Sequence, residues 1–197
     1  MITMPRIARD SLWTLERYSK ERLEFRKRVI EHKKNRKVFI GDHIMLEFED
    51  ELTVRYQVQE MLRVEKTFEE AGIQDELNAY NPLIPDGRNF KATMLIEYED
   101  EAERARQLAR LRGVERKVWI RVEGASKVFA IADEDLEREN DVKTSAVHFL
   151  RFELTEDMAK ALKYGVSLAV GVDHEHYTVA VDPVPANVRG SLQQDLA

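Results

Sequence analysis

Two stretches of the chain repeat one pattern at a nearly fixed distance, and this repetition limits the fold more than any other feature. With MLIEYEDEAERARQL from Met94 set against HFLRFELTEDMAKAL from His148, Ile96 falls on Leu150, Tyr98 on Phe152, Glu99 on Glu153, Ala105 on Ala159 and Leu108 on Leu162. A contraction brings Gly113-Val114 onto Gly165-Val166, and another brings VWIRVE from Val118 onto LAVGVD from Leu168 and FAI from Phe129 onto VAV from Val179. Each copy therefore reads strand, helix, glycine-terminated helix end and hairpin, over 92–133 and 146–183. Glycine fits that helix end because left-handed backbone carries no Cβ penalty there. One βαββ unit alone leaves a sheet edge unpaired. Two are expected to join in a mostly antiparallel sheet of about six strands with helices on one face. The charged run EDLERENDVKT, residues 134–144, is the predicted connector between copies.

The region before the repeat, residues 1–89, reads as a mainly helical scaffold, giving an α+β chain with the repeat over 90–183 and a tail or short helix over 184–197. Leu12, Leu15, Tyr18, Phe25 and Val29 recur near helical spacing over 12–35, with Asp10 or Ser11 as a cap. Residues 37–48 alternate as a strand or hairpin turning at Gly41-Asp42. Helical spacing resumes from Val54 to Tyr80, with Gly72 the predicted break between two helices, and Pro82 and Pro85 end it. The whole is also compatible with one compact domain.

Composition matters chiefly for what it excludes. The 197 residues contain no cysteine, so disulfides, thiolate catalysis and cysteine-bound zinc or iron–sulfur clusters cannot arise within the chain. There is no stretch of about 20 apolar residues and no secretory signal at the start, so a cytoplasmic protein without a membrane partner is expected. GxGxxG, P-loop, GxSxG and HExxH motifs are lacking, which argues against Rossmann hydride transfer and ordinary NTP hydrolysis.

Three groups of residues could carry function. Asp173, His174 and His176 replace the Glu123–Lys127 turn of the first copy, and imidazole with carboxylate suits a divalent metal, with His43 as a further ligand. The bland alternative is a polar turn. Glu60, Arg63, Glu76, Asn78, Tyr80 and Asn81 fall on helix faces at spacings of three and four, and could form a polar cleft with Glu60 as base and Arg63 or Asn81 binding an anion, or simply an ion-paired helix hairpin. Residues 17–37 carry +7 against a net charge of −6 for the chain. Arg26, Lys27, Arg28, Lys33, Lys34, Arg36 and Lys37 are thus a basic surface for nucleic acid or a solvated face docked on the chain's own acidic body. Aromatic residues are not spaced there for base stacking, so nucleic acid ranks last.

At QEMLRVEK, ELNAYNPLIP, LIEYED, AVHFLRF and VDHEHY the sequence resembles an uncharacterised bacterial domain-of-unknown-function family about as long as this chain of 197 residues. The resemblance runs from the first helix to Tyr177. In that family the genes tend to neighbour those of rubrerythrin-like and cysteine-rich iron–sulfur proteins. The resemblance thus implies a place near peroxide or redox metabolism, and it supplies no catalytic residues. Taken together, the expectation is a non-catalytic accessory or interaction protein partnered by a redox metalloprotein, requiring no cofactor of its own. A metal-dependent site at His174 and His176 is the alternative, and whether the chain is an enzyme stays open.

Overall fold

The computed structural model describes residues 6–134, 138, 140 and 142–197. Six helices and nine strands are found among them. The first helix, α1 (Leu15–Lys33), starts where the Thr14 side chain accepts from the backbone N–H of Arg17, so Thr14 caps it rather than Asp10 or Ser11. A hairpin follows, β1 (Lys37–Ile40) and β2 (Ile44–Phe48), turning through Gly41 and Asp42 as the sequence indicates. Then come α2 (Glu51–Glu65), opened by a reciprocal Asp50–Thr53 capping box, and α3 (Glu70–Tyr80).

The break between these helices lies at residues 66–69, where Lys66 is left-handed with φ of 54°, and Gly72 sits inside the first turns of α3. Gly72 has a packing role instead. A Cβ there would come within 2.7 Å of Thr67 Cγ2.

The remaining chain runs β3 (Asn89–Ile96), α4 (Glu101–Arg110), β4 (Val118–Val122), β5 (Val128–Phe129), β6 (Ile131–Ala132), β7 (Val147–Glu153), α5 (Glu156–Lys163), β8 (Leu168–His174), β9 (Tyr177–Val181) and α6 (Ala186–Leu192). The class is α+β. Instead of one sheet of about six strands there are two antiparallel sheets, in the orders β1-β2-β3-β7-β6 and β5-β4-β8-β9. Two causes account for the difference. The β1–β2 hairpin extends the first sheet through β3, and the 128–132 strand divides at Ala130, whose N–H turns to the carbonyl of Val118 while Ile131 joins Arg151. Most of the connector over 134–144 lies outside the described residues.

Residues matched by the sequence comparison face one another across the ladders, Met94 with His148 in β3–β7 and Ile120 with Val170 in β4–β8. The flanking bonds are reciprocal too, from Glu123 N–H to the Ser167 carbonyl and from Asp173 N–H to the Lys117 carbonyl. Gly113 and Gly165 end their helical turns with φ of 77° and 89°. The hairpins depart from the match. A five-residue turn pairs Ile120 with Val128, whereas the tight Glu175-His176 turn pairs Val170 with Val181, beyond the position that the FAI and VAV match assigns.

The inner faces of both sheets share one core, in which Leu46, Met94 and Phe152 from one meet Ile120, Val170 and Val172 from the other. The helical region forms its own core around Leu12, Val54, Val58, Ile73, Leu77 and Ile84. No helix among the described residues is long and apolar enough to cross a membrane.

Candidate functional site

Alternation along β3 and β7 decides what the helical layer meets. Phe90, Ala92 and Met94 point into the core with Leu150 and Phe152, which leaves Lys91, Phe149 and Arg151 on the opposite face. Pro82, in the short 3-10 turn Asn81–Leu83 that ends α3, brings its carbonyl to 2.8 Å from Lys91 Nζ. Between this turn and the two strands lies a cleft of about 470 Å³, lined by Glu76, Asn78 and Tyr80 from the helix and by Lys91, Phe149 and Arg151 from the sheet. Met61 and Leu83 complete an apolar floor with Phe149, and Glu134 and Arg138 stand at the rim. A smaller cavity of about 280 Å³ shares Asn78, Pro82 and Lys91 with it.

The charges of the cleft are ordered. Arg151 donates to both carboxylate oxygens of Glu134 at 2.8 Å and to Glu153 at 2.5 Å. These hydrogen bonds hold the Glu134 carboxyl below its ordinary value and the Arg151 guanidinium above its own. Burial lowers the Lys91 ammonium, and the Arg151 charge opposite lowers it further. Glu76 is raised, by burial first and then by Glu65 and Asp75. Arg138 sits 4.6 Å over the Phe149 ring and 3.3 Å from Asp133.

Of the six residues expected to share a cleft, Glu76, Asn78 and Tyr80 do so. Glu60 and Arg63 turn to the other side of α2, where Glu60 accepts from Arg22 Nε at 2.7 Å and Nη2 at 2.9 Å, from the Tyr18 hydroxyl at 2.6 Å and from Arg63 at 3.3 Å. The bonds from Arg22 hold the Glu60 carboxyl down to about 2, which makes it a poor base and a strong anchor between α1 and α2. Asn81 is tied to the chain start, accepting from Ile7 N–H at 2.8 Å and donating to the Ile7 carbonyl at 3.2 Å.

The depressed Glu60 carboxyl stabilises the fold at pH above its ordinary value of 4.5, and that contribution is lost as pH falls toward 2. Glu60→Gln is expected to cost roughly 1–3 kcal/mol at neutral pH. In urea titrations the gap to wild type should narrow at pH 3; a gap independent of pH contradicts the role.

The His174 and His176 rings lie 5.7 Å apart, but His43 does not join them. His174 is buried, its Nε2 lies 3.0 Å from the Arg112 carbonyl and its Nδ1 accepts from His176 N–H at 3.2 Å, so neither nitrogen offers a lone pair to a metal. Asp173 accepts from Trp119 Nε1 at 2.8 Å and Lys127 Nζ at 2.6 Å. His43 lies against the other sheet, stacked on Tyr98 with ring centres 3.9 Å apart and its Nδ1 2.9 Å from the Glu97 carbonyl. Among the described residues no group of three or more His, Asp or Glu could hold a metal ion.

The basic segment is matched partly by the rest of the fold and partly along α1 itself. Lys33 and Lys37 pair with Glu47, Lys34 with Glu31, Lys27 with Glu24, and Arg36 is buried against Asp195. Arg28 lies 5.0 Å over the Phe25 ring, and Arg26 is exposed on α1.

Sequence reasoning missed Lys91, Phe149, Arg151 and Glu134. A signal existed for the strand residues, since outward positions of two strands centred on Met94 and His148 must meet if those strands pair.

A model of the family described as "Protein of unknown function (DUF3501)" matches residues 6–196. Comparison with curated proteins gives no match. Among solved structures, the chain is similar to one described as the crystal structure of a novel protein of unknown function from Burkholderia pseudomallei K96243. The two are 54% identical with a TM-score of 0.94, over 98% of this chain and 100% of that one.

Proposed function

The chain belongs to the DUF3501 family of proteins of unknown function, and we propose that it is a non-catalytic binding protein that serves a redox metalloprotein, with the cleft between α3 and the β3–β7 face as its binding site. The cleft itself carries this reading. It joins an apolar floor of Met61, Leu83 and Phe149 to a charged rim, the combination by which a preformed site grips one ligand through area and orients it through a few polar groups. Two candidate groups outside the cleft are held in internal bonds, Glu60 by Arg22 and Tyr18, and His174 by backbone groups. The metalloprotein partner, rubrerythrin-like or iron–sulfur, is favoured by the resemblance described above. A chain with no cysteine meets such chemistry most simply through a partner that carries the metal. The frame that presents the cleft is read as a duplicated βαββ unit, supported by the opposition of Met94 with His148 and Ile120 with Val170.

The test is isolation from the native host through a tag on the chromosomal copy. Co-elution with an iron-containing redox protein in fixed ratio, lost in Phe149→Ala, is expected. Recovery of the chain only as a free species overturns the partnership.

A further inference from the structure

We infer that the cleft takes a monocarboxylate carried on a compact apolar body, with Lys91 as its counter-ion; this rests on reading the cleft as the binding site. The β3–β7 register places Lys91 directly opposite Arg151. Like charges in that position on paired strands repel, and partial burial strengthens the repulsion. Arg151 has its compensation in Glu134 and Glu153. Among the described residues Lys91 has no direct ion pair, and the carboxylates of Glu134, Asp86 and Glu153 act on it only from a distance. Its ammonium donates to the Pro82 carbonyl at 2.8 Å, and among the described residues no carboxylate lies within ion-pair distance of it. An ammonium carries three donors, so two remain for the space around it.

That space is the meeting point of the two cavities, which have Asn78, Pro82 and Lys91 in common. An anion there relieves both the desolvation of Lys91 and its repulsion from Arg151. Phe149, Leu83 and Met61 offer the apolar half of the site immediately beside it. Glu76 on the helix side, Glu134 at the rim and Asp86 in the adjoining cavity disfavour a second negative charge, which selects a monocarboxylate over a phosphate or dicarboxylate.

The experiment titrates the full chain calorimetrically with 3-phenylpropionate and with 3-phenylpropanamide, which differ only in the acid group. Wild type is expected to bind the acid at least about tenfold more tightly than the amide, and Lys91→Met to erase the difference while binding the amide unchanged. The comparison of acid with amide on wild type does not depend on how the variant folds. Equal affinities, binding of neither at about 10 mM, or a preference retained by Lys91→Met overturns the inference.

Capped Asp-Phe and Asn-Phe dipeptides form the second arm. A preference for the Asp dipeptide identifies a segment of a protein chain as the source of the carboxylate, whereas preference confined to the free acid identifies a small molecule. A chain that shows the acid preference yet never associates with a metalloprotein refutes the partnership alone.

Discussion

Arg36→Met is expected to destabilise the protein by about 3–5 kcal/mol, the range found when one member of a buried ion pair is removed. Arg36 is only 1% exposed, and its guanidinium joins three parts of the chain. Nε donates to the Phe48 carbonyl at 3.0 Å, Nη2 to the Glu49 carbonyl at 2.8 Å, and the two Nη groups to Asp195 at 3.0 and 2.6 Å. Asp50, the cap of α2, stands 3.7 Å away. Without Arg36 the Asp195 carboxylate is stranded, and burial already raises that group. The sign of the pH dependence follows. A carboxyl raised by burial favours the fold in its protonated form, so Arg36→Met should regain stability as pH falls and lose it as pH rises through the carboxylate range. Adding Asp195→Leu should restore part of the loss, because an apolar pair is cheaper to bury than a lone charge. Urea titrations at pH 4 and 7 measure both effects; a cost below about 1 kcal/mol contradicts the clamp.

Gly171→Ala is expected to cost about 3 kcal/mol, at the upper end for forcing a methyl group into a closely packed site. The register of β4 and β8 lays the Trp119 ring across Gly171, where a Cβ would approach Cε2 at 2.7 Å and the Val179 carbonyl oxygen at 2.9 Å. Trp119 cannot simply swing away, because its Nε1 donates to Asp173 and its ring lies 4.1 Å from the Lys127 ammonium. In thermal unfolding, Trp119→Leu should therefore partly rescue Gly171→Ala. A double variant no more stable than Gly171→Ala alone rules out the clash as the cause.

Local periodicity made the α+β class and the strand–helix–strand–strand order legible, because alternation along NFKATMLI and VHFLRFE and helical spacing in EAERARQL are properties of neighbouring residues. The break between α2 and α3 was not legible. It rests on a left-handed lysine, Lys66, whose type gives no warning, whereas Gly72 drew attention and serves packing. The two-sheet division depends on Ala130 turning between partners far apart in sequence. Similarly, a charge spacing of three or four shows that Glu60 and Arg63 share a face of α2 but not that this face meets α1. Glu76, Asn78 and Tyr80 reached the cleft because they stand just before the Pro82 turn that packs on Lys91. Their opposing wall, Lys91 with Arg151, is a long-range pairing that no single segment of sequence contains.

Purified protein is titrated with a purified rubrerythrin-like protein, the proposed partner, comparing wild type, Phe149→Ala in the cleft, and Leu23→Ala on the exposed face of α1. Saturable binding by wild type and Leu23→Ala is expected, and at least about tenfold weaker binding by Phe149→Ala with its fold retained by circular dichroism. No binding by wild type, or equal binding by all three, would contradict the partnership through the cleft.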